Sequence, residues 1–173
     1  DTHAGAGGYS LEGRYAHTRD EFHSGIGRLW QRNDLPTALA DYVTLVRRFN
    51  GGDGDTWPAL TQYPGSPAIA QQLLRADDRL RLYELHPTDE RILSAFLGKR
   101  PHTTVALSDG FASLHKELPP PSRRGVVLID PSYEIKTDYT KVLAALRETL
   151  ERFASAVVLV WLPQVRTLES QQL

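Results

Sequence analysis

The chain contains no cysteine and no methionine. Without cysteine there is no disulfide, no thiolate metal site and no cysteine nucleophile. No apolar run approaches the roughly 20 residues of a membrane span, and the first residues lack the pattern of a signal peptide. A cytoplasmic location with no membrane partner is the expectation. Excess charge is missing too. Twenty basic residues stand against 21 acidic ones, a net charge of −1. No global basic field therefore draws nucleic acid, and such a contact needs a local patch. His17, His23, His86, His102 and His115 have no metal-like pairing, so no metal is expected.

What is present is an ordinary globular composition, 40% hydrophobic and 24% charged over 173 residues, suited to one domain with a real core. The opening stretch, Asp1 to Gly8 (DTHAGAGG), reads as the end of a strand running into a glycine loop. The strand itself is missing and no methionine starts the chain, so residues 1–173 read as a fragment of a longer domain. Residues 20–32 place Phe22, Ile26, Leu29 and Trp30 on one helical face. Leu35, Leu39, Tyr42, Val43, Val46 and Phe49 continue at helical spacing, with Pro36 suited to a first turn. GGDGDTWP (51–58) is a loop. Residues 11–62 thus form a small helical insertion. Ser66 is placed to cap a helix that has Pro67 in its first turn.

Residues 79–84 alternate as a strand ending in Glu84, and 89–98 form a helix. Thr103 to Leu107 is a strand ending in Ser108-Asp109-Gly110. LPPPSRRG (118–125) is a loop. Val126 to Ile129 is a continuous apolar run, expected for a central parallel strand covered on both faces. Val142, Leu143, Leu146, Leu150 and Phe153 mark an amphipathic helix, and Ala156 to Leu162 another buried strand. Strands alternating with helices imply an α/β fold with a mostly parallel, doubly wound sheet. Ligands bind beyond the carboxyl ends of such strands. Those ends carry the Asp1–Gly7 loop, Glu84, Asp109 and Asp130.

Each of these residues has two readings. Gly5 and Gly7 let backbone approach a ligand, or simply make a tight turn. Glu84 is placed to accept the hydroxyls of a ribose, or is a solvated strand end. Asp109 accepts an adenine amine, or caps a turn. Ser66 contacts a ligand or only caps its helix. His3 touches a ligand or packs the turn. The loop is not a P-loop, because no Gly-Lys-Ser/Thr follows. It also departs from the dinucleotide fingerprint, because Ser10 stands at the third glycine position. That disfavours a nicotinamide oxidoreductase.

The most specific signal is Asp130-Pro131-Ser132-Tyr133 at the end of an apolar strand. It delivers an acceptor and a flat ring to one point, where a planar amine could sit. It resembles the Asp/Asn-Pro-Pro-Tyr/Phe motif of S-adenosylmethionine-dependent methyltransferases that modify exocyclic amines of bases. The chemistry fits the residue types. The lone pair of such an amine is delocalised into the ring, making it a poor nucleophile. A carboxylate and the following Pro carbonyl can hold its two N–H bonds and favour a tetrahedral nitrogen. The aromatic ring stacks on a base taken out of its helix. The donor is already activated, so positioning provides most of the acceleration.

DTHAGAG, YPGSP, LYELHP, DGF, SRRG and IDPSYEIKTDY, in this order, are similar to the RlmJ-type family, the bacterial 23S ribosomal RNA adenine-N6 methyltransferases. The resemblance runs from residue 1 to about 165. It implies a Rossmann-like class I methyltransferase domain with S-adenosyl-L-methionine as cofactor and ribosomal RNA as substrate, working as a monomer. It implies a cofactor site of His3, Gly5, Gly7, Ser66, Glu84, Asp109, Gly110 and Asp130. Asp130 and Pro131 would be catalytic, with Tyr133 against the adenine and Glu134, Lys136 and Asp138 in a loop facing substrate. Ser132 replaces the family's second proline, restoring an N–H and freeing φ. The family's first strand and its later strands are absent, which should leave neighbouring strands unpaired. The alternative is a non-catalytic nucleic-acid-binding protein linked to the use of external DNA.

Overall fold

The computed structural model describes residues 1–12, 21–53 and 57–163. Residues 13–20 of the expected insertion, His17 among them, and residues 54–56 of the 51–58 loop lie outside them. The chain divides into two compact units, Ala6–Asp78 and a second made of Asp1–Gly5 with the chain from Arg79 onward.

In the Ala6–Asp78 unit, β1 (Gly8–Ser10) pairs antiparallel with β2 (Gln62–Pro64). This ribbon was not expected, because glycines and a Tyr-Pro-Gly turn mask two three-residue strands. The helix expected over 20–32 is two short ones, α1 (Glu21–Ser24) and α2 (Ile26–Leu29), broken at Gly25. Their apolar residues still converge. Ile26, Trp30, Val43 and Val46 form the core, with Phe22 and Leu29 packed against it. Val43 and Val46 come from α3 (Thr37–Phe49), which begins after Pro36. Asn50, at its end, accepts from the backbone N–H groups of Thr61 (3.0 Å) and Gln62 (2.9 Å), fastening β2 to the helix. In α4 (Ser66–Leu73) the cap position belongs to Gly65. Ser66 is the first helical residue and not the cap.

The other unit contains two parallel pairs. β3 (Leu80–Glu84) pairs with β4 (Thr103–Leu107), joined through α5 (Pro87–Leu97). β5 (Val126–Ile129) pairs with β6 (Val157–Val160), joined through α7 (Thr137–Arg152). Between β4 and β5 lies α6 (Gly110–Glu117), a helix absent from the sequence expectations. β3 and β5 do not pair with each other. The extended segment Asp1–Ala4 lies between their carboxyl ends. Thr2 N–H donates to the Leu128 carbonyl (3.0 Å), while Ala4 N–H donates to that of Tyr83 (2.9 Å) and Tyr83 N–H to that of Asp1 (3.1 Å). The order β4, β3, Asp1–Ala4, β5, β6 places the reversal of winding at this segment, where doubly wound sheets bind ligands.

The α/β class with mostly parallel strands therefore holds, but burial of the last strands differs from expectation. Val127 and Ile129 of β5 pack with Leu114 of α6 and with Val142 and Ala145 of α7. Val126 on the other face is 63% exposed. β6 is shorter than 156–162 and alternates likewise, with Val158 and Val160 against the same core and Val157 and Leu159 exposed. A run of β-branched residues does not reveal which faces are covered. Among the described residues, no helix is long and apolar enough to cross a membrane.

Candidate functional site

The acids expected at strand ends are there, and the backbone explains why. Glu84 closes β3. One of its carboxylate oxygens accepts from Gly5 N–H and the other from His86 N–H, both at 2.7 Å. The carboxylate thus shapes the glycine turn, where Gly5 has φ +60°, a region L side chains rarely adopt. It also keeps lone pairs for further donors, since a carboxylate offers about four acceptor sites.

Asp109 follows β4 and caps α6, accepting from Phe111 N–H (2.9 Å) and Ala112 N–H (3.4 Å). Its capping reading is therefore real. Gly110 is dictated by space, because a Cβ there would lie 2.0 Å from the Thr2 carbonyl oxygen. The Asp1–Ala4 segment passes directly over the start of α6.

His3 is half-buried, its ring edge-on to Phe111 with centroids 4.6 Å apart. Its Nδ1 meets the Thr2 hydroxyl at 2.8 Å, and that hydroxyl also lies 3.1 Å from the Leu128 carbonyl. Both contacts are satisfied when the Thr2 proton goes to Leu128 and His3 donates from Nδ1, leaving Nε2 an acceptor. Burial pushes the imidazole pKa down, against the opposing pull of Asp109, Asp138 and Glu84, so the ring is neutral at pH 7.

Asp130 leaves β5 half-buried. Among the described residues no hydrogen-bond donor or cation pairs with its carboxylate. Burial alone pushes its pKa up. Pro131 is buried and Ser132 exposed. Tyr133 has φ +56°, a strained value for a bulky residue that must be held from outside. Its phenol donates to the Trp161 carbonyl at 2.8 Å, and its ring lies 4.7 Å from that of Tyr139. Burial, followed by nearby Asp130, pushes the phenol pKa up to about 12. The phenol is therefore a permanent donor. Glu134 and Lys136 are exposed beyond this turn, while Asp138 is buried in the first turn of α7, 3.5 Å from the Lys141 ammonium.

His3, Gly5, Glu84, Asp109, Gly110, Asp130, Pro131 and Tyr133 thus belong to one unit and cluster at the carboxyl side of its strands. Gly7 and Ser66 belong to the other, where the Gly7 carbonyl accepts from Gly65 N–H at 3.0 Å. Sequence reasoning overlooked two participants. Thr2 is buried and ties His3 to β5. Trp161 anchors Tyr133 through its carbonyl. A threonine beside the glycine turn and an aromatic directly after β6 were the available signals.

Comparison with known proteins adds the following. A family model described as "Ribosomal RNA large subunit methyltransferase D, RlmJ" matches residues 1–173. The Ribosomal RNA large subunit methyltransferase J of Escherichia coli (strain K12) is 46% identical over 165 residues, covering 95% of this chain and 57% of its own length. That of Haemophilus influenzae is 41% identical over 173 residues, covering 100% of this chain and 60% of its own. The chain spans about three-fifths of the length of these relatives. The crystal structure of a Legionella pneumophila protein, 35% identical, superposes with a TM-score of 0.85 over 99% of this chain and 61% of its own.

Proposed function

We propose, from the premise that this chain belongs to the RlmJ family of ribosomal RNA large subunit methyltransferases, that it serves S-adenosyl-L-methionine-dependent N6-methylation of an adenine in 23S ribosomal RNA. It would do so in the cytoplasm and as a monomer. The observation that carries this reading is the Asp130 carboxylate. It is half-buried, has no donor among the described residues, and stands at the end of a strand beside a buried proline. Its lone pairs are therefore open to the N–H groups of a ligand. An exocyclic amine has two N–H bonds, one for Asp130 and one for the Pro131 carbonyl.

The residues fit the cofactor. Glu84 fixes the glycine turn and still offers lone pairs to two ribose hydroxyls. Neutral His3 presents an Nε2 acceptor, and Gly110 lets the Asp1–Ala4 segment that carries it lie close over the start of α6. Asp109 uses one carboxylate oxygen for its cap, leaving the other for an adenine amine. Gly7 and Ser66 join this set on the family resemblance. When bound, S-adenosylmethionine supplies a methyl group already activated on a sulfonium.

The chain's own work is positioning. Asp130 and Pro131 hold the amine with its lone pair toward the methyl group. Asp130 then stands ready to take the proton lost on methylation. Tyr133, restrained by Tyr139 on one side and by Trp161 at its hydroxyl, offers the remainder of its ring to the base. Ser132 lacks the φ restraint of the proline usual there, and the phenol-to-Trp161 bond restrains the turn instead. Glu134 and Lys136 are exposed for contact with RNA.

Calorimetric titration with S-adenosylhomocysteine, followed by transfer of labelled methyl to ribosomal RNA, tests the reading. Saturable binding and labelled N6-methyladenosine, the latter lost in Asp130→Ala, are expected. Binding of RNA with no transfer by the wild-type protein would sink the catalytic reading in favour of a nucleic-acid binder.

A further inference from the structure

Phe111 stands in the first turn of α6, and three parts of the candidate site meet on it. Its backbone N–H donates to the Asp109 carboxylate at 2.9 Å. Its side chain is partly buried against the core of Leu114, Val127, Ile129 and Val142. Its ring meets the His3 imidazole at 67°, with centroids 4.6 Å apart. The Lys141 ammonium lies 6.0 Å from the centre of the same ring. On its other contact, His3 is held at Nδ1 by the Thr2 hydroxyl at 2.8 Å. One hydrogen bond fixes a point on an imidazole but not the plane of its ring. The packed aromatic supplies the second restraint.

We propose that Phe111 is a positioning residue for the cofactor, holding the His3 ring so that Nε2 stays presented as an acceptor. This rests on the cofactor reading above. A ring already held in one orientation need not be ordered when the cofactor binds, so less of the binding energy is lost. The Phe111 ring also covers part of the imidazole, and burial is the main cause that pushes its pKa down. The charges facing His3 come from four places. Asp1 accepts from the His3 N–H at 3.2 Å. Glu84 ends β3, Asp109 precedes α6, and Asp138 and Lys141 belong to α7. Glu84, Asp109 and Asp138 favour the imidazolium, while Lys141 opposes it. With less burial the carboxylates gain the upper hand, and a protonated Nε2 is no longer an acceptor.

Two substitutions separate this role from plain packing. Phe111→Leu keeps an apolar side chain against the core and removes the aromatic ring, while Phe111→Tyr keeps the ring. Nitrogen NMR of isotope-labelled histidine reads the tautomer and titration of His3, with His3→Gln identifying its signals among the six histidines. Wild type should show His3 protonated at Nδ1 and titrating below the ordinary 6.5. In Phe111→Leu the two tautomers should mix and the titration should move up. Calorimetric affinity for S-adenosylhomocysteine should fall roughly 2- to 12-fold, the range for one aromatic pair. Its loss on acidification should begin at a higher pH than in wild type, because binding needs neutral His3. Phe111→Tyr should restore both readouts. A tautomer and titration of His3 unchanged in Phe111→Leu would overturn the proposal. So would equal affinity in Phe111→Leu and a wild type that binds S-adenosylhomocysteine, an outcome that leaves the cofactor reading intact. A wild type that binds none is the separate failure of the cofactor reading, and the positioning role falls with it.

Discussion

At the scale of single residues, Glu84 and Asp130 show two opposite uses of a carboxylate. Glu84 is spent on the protein, holding two backbone N–H groups at 2.7 Å. Glu84→Ala should remove saturable S-adenosylhomocysteine binding and lower stability by about 1 kcal/mol, as expected for part-buried and exposed hydrogen bonds whose donors can turn to water. Glu84→Gln should also weaken binding, because its amide must oppose one of those donors. Calorimetry and thermal unfolding check both.

Asp130 instead burdens the fold. Its folded pKa lies above the ordinary value of 3.8, so the unfolded chain ionises more readily. Stability on this account is fully present below that ordinary value and is lost as pH rises through the raised one. Asp130→Asn, always neutral, should unfold at a higher temperature than wild type at pH 7, with the difference vanishing as pH falls below 4. Methyl transfer should drop about 10²–10³-fold, as when a single positioned polar group is removed. A lower unfolding temperature for Asp130→Asn at pH 7 would contradict the view of an unpaired, half-buried acceptor. The residue types at both positions could be read directly from the chain, because an acid ending an apolar strand is conspicuous. Which acid is satisfied and which is not could not, since the partners of Glu84 lie 79 positions away and beside it in the next loop.

At the scale of elements, the junction between β4 and α6 shows why prediction stopped short. Thr103–Leu107 and Val126–Ile129 were found with their observed bounds, because β-branched residues ran between clear breakers. The helix Gly110–Glu117 was not, because its glycine start reads as a turn and only Phe111 and Leu114 mark an apolar face. What makes it a helix is Asp109 at its cap and the packing of Leu114 against β5. The split of the 20–32 helix at Gly25 has a similar origin. The apolar spacing was right, but glycine at that point favours a break. Asp109 caps α6, and substitutions can separate that role from its proposed contact with the cofactor. Asp109→Ser preserves a capping oxygen and should leave the unfolding temperature near that of wild type, while weakening S-adenosylhomocysteine binding. Asp109→Ala should lose both, with about 1 kcal/mol of stability. Equal binding by the serine variant and wild type would confine Asp109 to the cap.

At the scale of the whole molecule, Asp1–Ala4 lies between the β3–β4 and β5–β6 pairs and bonds to both. The alternation of strands and helices correctly implied a parallel, doubly wound design. It could not show that Asp1–Ala4 would connect two otherwise separate strand pairs, because hydrogen bonds across a sheet leave no trace in local periodicity. The connection is economical. Thr2 bonds to Leu128 through both N–H and hydroxyl, Ala4 bonds to Tyr83, and the Thr2 carbonyl leaves no room for a side chain at Gly110. The same segment carries His3 and leads into Gly5, two residues of the proposed cofactor site. Ala4→Pro removes the N–H that bonds the Tyr83 carbonyl at 2.9 Å and should cost about 1–3 kcal/mol. Because the loss falls beside Gly5, affinity for S-adenosylhomocysteine should fall with it. Leu11→Pro offers a control in the other unit, where Leu11 N–H donates to the Thr61 carbonyl at 2.8 Å. It should reduce stability through that unit with less effect on cofactor affinity. Affinity lost only in proportion to the unfolded fraction, in both variants alike, would show that Asp1–Ala4 supports the fold without shaping the site.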